Sequence, residues 1–307
     1  VSEIAKLYES GQLGGWAGAK VAGEQWDLVK TNPWFKPMLL ASAPGAVRRL
    51  MLYEACRAAI GKDTENYAQE IGDCVSFGMK NAIEYLQCCQ MVLNKEFEKW
   101  EPIFPPYVYG TSRVLIGNGQ MGNQDGSVGS WAAEAVIKYG VLNSDADGVP
   151  HYAGSVAKQW GYSGPPSQFV TLGKQHPVKS AAKINSWDEL VGAICNGYPC
   201  TVASDQGFQM EASSDGFHRP SGSWPHQMCI IGVDDEYNDP YAIILNSWGD
   251  VHGHLKDFTS GKDLPVGCLR VRKKTIEYMI SSGEVFACSN FDGFPEQELA
   301  KALFMLV

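Results

Sequence analysis

Trp224-Pro225-His226-Gln227-Met228-Cys229-Ile230-Ile231-Gly232-Val233 puts a histidine at the head of an apolar run of strand length, and Asn246-Ser247-Trp248-Gly249 follows beyond a polar turn. An imidazole titrates near neutral pH, and an asparagine side chain can hold one of its ring nitrogens. Far upstream, Gln69-Glu70-Ile71-Gly72-Asp73-Cys74-Val75-Ser76-Phe77 leads into apolar positions at Val75, Met79, Ala82, Ile83, Leu86 and Leu93, mostly three or four residues apart. That spacing predicts a long buried helix with Cys74 in its first turn. An ordinary thiol has a pKa near ~8.5, so a reactive one needs a helix N-terminus and an imidazolium beside it.

The rest of the chain divides into helices first and strands second. Ser42-Ala43-Pro44 reads as the start of a helix that Gly61 ends, with Val47, Leu50, Met51 and Cys56 as its apolar stripe. Pro102, Pro105 and Pro106 break the long helix pattern, a Gly/Asn/Gln-rich loop runs from Gly117 to Gly129, and Trp131 to Tyr139 reads as a short helix stopped by Gly140. Ser186-Trp187-Asp188-Glu189 is a capping box for a helix reaching about Asn196. Tyr198 to Ser204, His226 to Val233, Tyr241 to Asn246 and Cys268 to Arg272 have strand character. This order predicts an α+β protein of two lobes. Pro295 to Val307 carries Leu299, Ala302, Leu303 and Leu306 on one side and reads as a short amphipathic helix.

With 307 residues and 45% hydrophobic content the chain can bury a substantial core. Its 34 acidic and 25 basic side chains give a formal charge of -9, and this acidity argues against nucleic acid as a partner. No apolar stretch approaches the roughly 20 residues needed to cross a bilayer, so no membrane partner is expected. His252-Gly253-His254 has no further ligand pattern near it and reads as a solvated turn, so neither a metal nor a cofactor is expected. Gly117-Asn118-Gly119 lacks the strand and helix that flank a phosphate loop. The nine cysteines, an odd number, read mostly as small buried hydrophobes.

The order Cys74, His226, Asn246-Ser247-Trp248-Gly249 resembles the papain-like cysteine peptidases, from Gln69 to Ile280. The resemblance implies a papain-like two-lobe fold: a helical left lobe whose long helix starts at the nucleophilic Cys74, and an antiparallel, β-barrel-like right lobe. It implies cleavage of peptide or isopeptide bonds through an acyl-enzyme, with Cys74 as nucleophile, His226 as acid and base, Asn246 as its orienter and Trp248 as a shield. Gln69 matches the side-chain donor to the oxyanion, one residue closer to Cys74 than the family has it. Gly126 and Ser127 match the edge that pairs with an extended substrate, and Ala203 matches the end of the strand lining the main specificity pocket. A peptide or protein is the expected substrate.

The resemblance divides the chain into an N-terminal helical extension (1–65), a helical lobe carrying Cys74 (66–155), a β-rich lobe carrying His226 and Asn246 (156–285) and a C-terminal extension (286–307). Ile71 and Gln124 stand where secreted relatives have a disulfide, which favours a reducing compartment such as the cytoplasm, or a virion, over disulfide-rich secretion. Because the chain opens on Val1, a leader or propeptide preceding it is an open expectation. Residues 1 to about 65 are expected to pack as a permanent brace, on the second lobe, rather than as a removable prosegment crossing the cleft. Asp73 and Val75 depart from the Ser and aromatic residue of the family, and a carboxylate beside the thiol opposes its ionisation. The alternative reading is therefore a catalytically silent papain-like scaffold, a structural or interaction component of a larger assembly such as a phage particle.

Overall fold

The structure is a computed structural model and describes residues 14–23, 47–94 and 99–291. The expected helix start at Ser42 and the tail from Pro295 to Val307 lie outside the described residues.

The first strand, β1 (Arg49–Met51), runs antiparallel to the end of the long β4 (Pro220–Asp234), with Leu50 opposite Val233. Here the expected helix is corrected: Leu50 and Met51 lie on a strand, because β4 offers edge groups that pair with their backbone. The helix begins only afterwards, as α1 (Tyr53–Ile60), and ends at Gly61 as expected. Gly61 takes φ 74° and closes the helix on the Arg57 carbonyl, a left-handed cap that favours glycine.

The long helix α2 (Cys74–Asn94) begins at the cysteine itself. From Cys74 to Gln90 it is buried on every side, packed against α1 and against β4. Gly78 permits that closeness, since a Cβ there would lie 2.9 Å from Gln227 Cγ and 3.1 Å from the Met228 carbonyl. Its buried charges are matched within the helix: Lys80 donates to Glu84 at 2.8 Å, and Glu84 also accepts the Ile103 N–H at 3.0 Å.

Next come α3 (Pro105–Gly110), whose prolines occupy the helix start, and a π-helical stretch over Thr111–Ile116. The turns from Gly117 then lead into α4 (Gly129–Lys138). The helical lobe closes with α5 (Gly154–Ser163) and α6 (Ser167–Gly173).

The remaining elements are β2 (Val178–Lys183), α7 (Trp187–Cys195), β3 (Cys200–Phe208), β4, β5 (Tyr241–Leu245), β6 (Cys268–Arg272), α8 (Lys273–Ser282) and β7 (Glu284–Phe291). In α7 the Ser186 side chain accepts the Glu189 N–H, as its capping box requires. The sheet order is β2-β7-β3-β4-β5-β6, all antiparallel, with β1 added on β4. Every residue of β5 is buried, as are Met228 to Asp234 of β4, so both strands read as unbroken apolar runs. All nine cysteines are buried free thiols. No helix among the described residues is long and apolar enough to cross a membrane.

Candidate active site

Cys74 lies at the N-terminus of α2, where unpaired backbone N–H groups favour an anion. The Gln227 backbone N–H donates to its sulfur at 3.4 Å. The Gln227 side chain reaches the same turn, donating to the Val75 carbonyl at 2.9 Å, so β4 is tied to the start of the helix. The thiol has no exposed surface. Burial pushes it up to about 12, the Gln227 and Gly15 N–H groups oppose the rise, and the Asp73 carboxyl adds to it. Asp73 is itself raised well above the usual carboxylate range by burial, against a hydrogen bond from the Tyr152 hydroxyl.

His226 lies opposite Ser204 of β3, and its Nε2 is 2.7 Å from Asn246 Oδ1. Asn246 follows directly on β5, and its backbone N–H bonds the Gly267 carbonyl. Its Oδ1 also accepts the Ser247 backbone N–H at 2.7 Å. Trp248 lies over the imidazole with ring centroids 4.6 Å apart, covering the His226–Asn246 bond. Burial lowers His226 to about 4, with the Asn246 bond opposing and His252 adding to the fall. Thiol and imidazole are thus both neutral in this state.

Neutrality has a visible cause. Residues 14–23 form a strap across the site, and its backbone bonds both lobes. The Gly15 and Trp16 N–H groups donate to the Pro225 carbonyl at 3.0 and 3.1 Å, Ser127 N–H donates to the Gly15 carbonyl at 2.7 Å, and Ala17 N–H donates to the Ser127 carbonyl at 2.9 Å. The strap runs parallel to the chain at Ser127. At Gly15 it passes close to the Gly72 carbonyl and the Cys74 sulfur. With the strap in place the thiol has no exposed surface, so no substrate carbonyl can reach it. Gly15 is required at the crossing, since a Cβ there would overlap the Gly72 carbonyl and lie 3.1 Å from the sulfur.

The Trp16 indole donates to Glu284 at 2.7 Å, and the same buried carboxylate accepts the Gly129 and Ser130 N–H groups at 3.0 Å each. A carboxylate is well placed there, at the positive end of α4. Ala203 is paired in register with Glu284. Next to Trp16, a cavity of about 530 Å³ opens between the strap, Lys183, Asn185 and Ile280 to Gly283.

The structure therefore groups His226, Asn246 and Trp248, and sets Cys74 against the backbone of Gln227, the residue that follows His226. It puts Ser127 against the strap backbone, with Gly126 close to the Gly15 carbonyl. Gln69 lies between the lobes: its Nε2 donates to the Ile71 carbonyl at 2.8 Å, and its Oε1 accepts from the Ser247 hydroxyl at 2.6 Å. The brace expected of the N-terminal segment needs correction. Residues 48 to 60 do pack on the second lobe and on α2, with Arg48 paired to Asp235 and Arg49 to Asp234. Residues 14–23, by contrast, occupy the cleft. The difference lies in backbone hydrogen bonding, which any short sequence can make once glycine lets it approach.

Sequence reasoning missed Glu284 and misread His252. His252 is buried, not in a solvated turn; its Nε2 is 2.7 Å from Asn246 Nδ2 and its Nδ1 is 3.1 Å from the Met210 carbonyl. Its position a short way past Asn246 was the available signal. Among the described residues, no group of His, Cys, Asp or Glu is arranged to hold a metal ion.

Against known proteins, the fold is the α+β two-lobe fold of the papain-like cysteine proteases. The chain is similar to xylellain, a cysteine protease from Xylella fastidiosa, with TM-score 0.56 and 15% identity over 83% of this chain and 91% of that one. It is similar to digestive procathepsin L 3 of the Tenebrio molitor larval midgut, with TM-score 0.57 and 15% identity over 94% of this chain and 79% of that one. Procathepsin B S9 from Trypanosoma congolense gives TM-score 0.57 and 12% identity over 96% of this chain and 89% of that one. No protein-family model and no curated protein sequence matches the chain.

Proposed function

We propose that this chain is a divergent papain-like cysteine peptidase in a latent state, with Cys74 as nucleophile, His226 as acid and base, and Asn246 as orienter. The observation that carries the reading is the 2.7 Å contact of His226 Nε2 with Asn246 Oδ1, from which the tautomer of His226 follows. Asn246 Oδ1 accepts from the Ser247 N–H, which can only donate, so Oδ1 faces His226 Nε2 as an acceptor. The imidazole proton then sits on Nε2, and Nδ1 is left to act as base toward Cys74. In turnover the thiol proton passes to Nδ1, sulfur attacks the scissile carbonyl, and the oxyanion is held by the Cys74 N–H and the Gln69 amide. The imidazolium returns its proton to the leaving amine, and water hydrolyses the thioester. Ser127 and Gly126 would pair with the substrate backbone where the strap now lies, and Ala203, whose carbonyl lies against Gly283 of the cavity wall, would stand behind the adjoining pocket. Names among the structural neighbours include proenzymes, which agrees with a latent form.

In the wild-type state the site is closed, so the test uses a strap loosened at Trp16, whose bond to Glu284 Trp16→Ala removes. Trp16→Ala protein is expected to cleave members of a mixed peptide library and to lose cleavage on the order of 10⁴-fold or more on Cys74→Ala. Added amines identify acyl transfer by their appearance in the products. An open, folded Trp16→Ala protein that cleaves nothing overturns the reading.

A second reading has its own support in Asp73. A buried carboxyl directly before the thiol suits a papain-like scaffold that binds partners in a larger assembly without turnover. Unchanged assembly on Cys74→Ala, together with no cleavage by any strap variant, is the result that favours it.

A further inference from the structure

Asn246 must choose between two faces, because rotating its amide by half a turn exchanges oxygen and nitrogen at almost no steric cost. Only one choice leaves His226 with its proton on Nε2. The side chain meets three groups: the Ser247 N–H at 2.7 Å, His226 Nε2 at 2.7 Å and His252 Nε2 at 2.7 Å. The first can only donate. The third is an imidazole nitrogen whose partner across the ring, Nδ1, lies 3.1 Å from the Met210 carbonyl, which can only accept.

We infer that His252 is a positioning residue, a second histidine that holds the Asn246 amide nitrogen and thereby fixes the tautomer of His226. Working inward from the Met210 carbonyl, His252 must carry its proton on Nδ1, so its Nε2 is a bare acceptor. Asn246 Nδ2 donates to that acceptor, and Oδ1 is turned to His226 and Ser247. Two backbone groups at the ends thus determine every proton in between. The role extends the peptidase reading, but the assignment of protons does not depend on turnover.

The surroundings of His252 preserve the arrangement. The ring is 1% exposed. It faces the Trp248 ring at 5.6 Å and the His218 ring, edge to face, at 5.6 Å. The charged or titratable groups turned toward the cluster are His218, His226 and Arg270; the backbone N–H of Arg270, not its guanidinium, donates to His218 Nδ1 at 3.2 Å. None of these is an anion that would stabilise an imidazolium at His252, and burial lowers it to about 4. Were His252 protonated, Nε2–H would face Nδ2–H, and the amide would be driven to its other face. His226 would then meet a donor instead of an acceptor.

The test reads protons directly. In protein labelled with ¹⁵N at histidine and asparagine, at neutral pH, NMR is expected to give the Nδ1–H tautomer for His252 and the Nε2–H tautomer for His226. An Nε2–H tautomer at His252 overturns the inference. His252→Gln keeps an acceptor for Asn246 and is expected to retain the His226 tautomer; His252→Leu leaves the Ser247 N–H alone to orient the amide and is expected to mix the tautomers of His226, and an unmixed His226 in folded His252→Leu overturns the role. In strap-loosened Trp16→Ala protein, His252→Leu should lower kcat about 10- to 100-fold with KM little changed, and His252→Gln should recover most of it. If His252→Leu does not fold, the wild-type tautomer and His252→Gln still decide. If Trp16→Ala protein cleaves no peptide, the peptidase reading fails, while the NMR tautomers alone uphold or overturn the role of His252.

Discussion

Asp73 stands immediately before the thiol, entirely buried, and of its two carboxyl oxygens Oδ2 accepts the Tyr152 hydroxyl. Burial raises it well above the usual carboxylate range, so the folded chain favours the neutral acid. A carboxyl raised in this way binds more protons folded than unfolded, between about 4 and its raised value. Its contribution to stability is therefore full below about 4 and is lost as pH rises through the folded value. Asp73→Asn, which keeps an acceptor for Tyr152 without the charge, is expected to be more stable than wild type at pH 7 by about 1 kcal/mol or more, with the difference vanishing near pH 4. Denaturant titrations of both proteins across that range check it; an equal difference at every pH refutes it. At this scale Cys74, His226, Asn246 and Trp248 were legible because each stands in a motif with a chemical reason. Asp73 was legible as an anomaly, though its neutralisation by burial was not. His252 was misread because Gly253 makes its surroundings look like an exposed turn, and only the fold supplies Met210 as its partner.

Between elements, the cleft is closed by the strap. Its hold is mostly backbone to backbone, supplemented by the Trp16 indole on Glu284. Gly15 passes where no side chain fits. Gly15→Val is therefore expected to lift the strap without disturbing the core. Alkylation of Cys74 by iodoacetamide, followed by mass spectrometry in the folded protein, should accelerate about 10-fold or more, as the thiol loses the desolvation that suppresses it. The buried Cys56, Cys89, Cys200 and Cys229 should remain slow. No change at Cys74 would mean that the strap is not what closes the site. This part of the fold was hidden in the sequence. Backbone hydrogen bonds leave no side-chain pattern, so Gly14-Gly15-Trp16 offers little more than a hint of close approach. The α2 helix and the capping box of α7 were readable because their signals lie in side-chain spacing and capping chemistry. Strand β1 was not, since a three-residue edge strand carries too short a pattern to be told from a helix.

Across the whole molecule, His218, His226 and His252 form a buried group around Asn246 and Trp248, and burial lowers each to about 4. The unfolded chain binds protons at these imidazoles near pH ~6.5, so between about 6.5 and 4 it holds more protons than the folded one. The contribution of these imidazoles to stability is expected to fall as pH drops through that window, by at most about 3.4 kcal/mol for each. His218→Gln, distant from the sulfur in the bonding chain, should flatten the fall, as read by melting temperature against pH. A difference in melting temperature between wild type and His218→Gln that stays constant from pH 7 to 4 would contradict the buried neutral cluster, whatever opposite slope Asp73 adds to both proteins. The two-lobe architecture itself was legible because helices precede strands and the strands are apolar. The sheet order was not, since pairing of β3 with β7 and of β1 with β4 joins segments remote in sequence.

If Cys74, His226 and Asn246 form a competent thiol peptidase site that the strap holds latent, lifting the strap must release cleavage. The most direct measurement compares peptide cleavage by three folded proteins at the same concentration: wild type, Gly15→Val, and Gly15→Val with Cys74→Ala. Cleavage is expected to rise at least about 10-fold from wild type to Gly15→Val and to vanish when Cys74 is also replaced. A Gly15→Val protein with Cys74 freely alkylated and no peptide cleaved would contradict it.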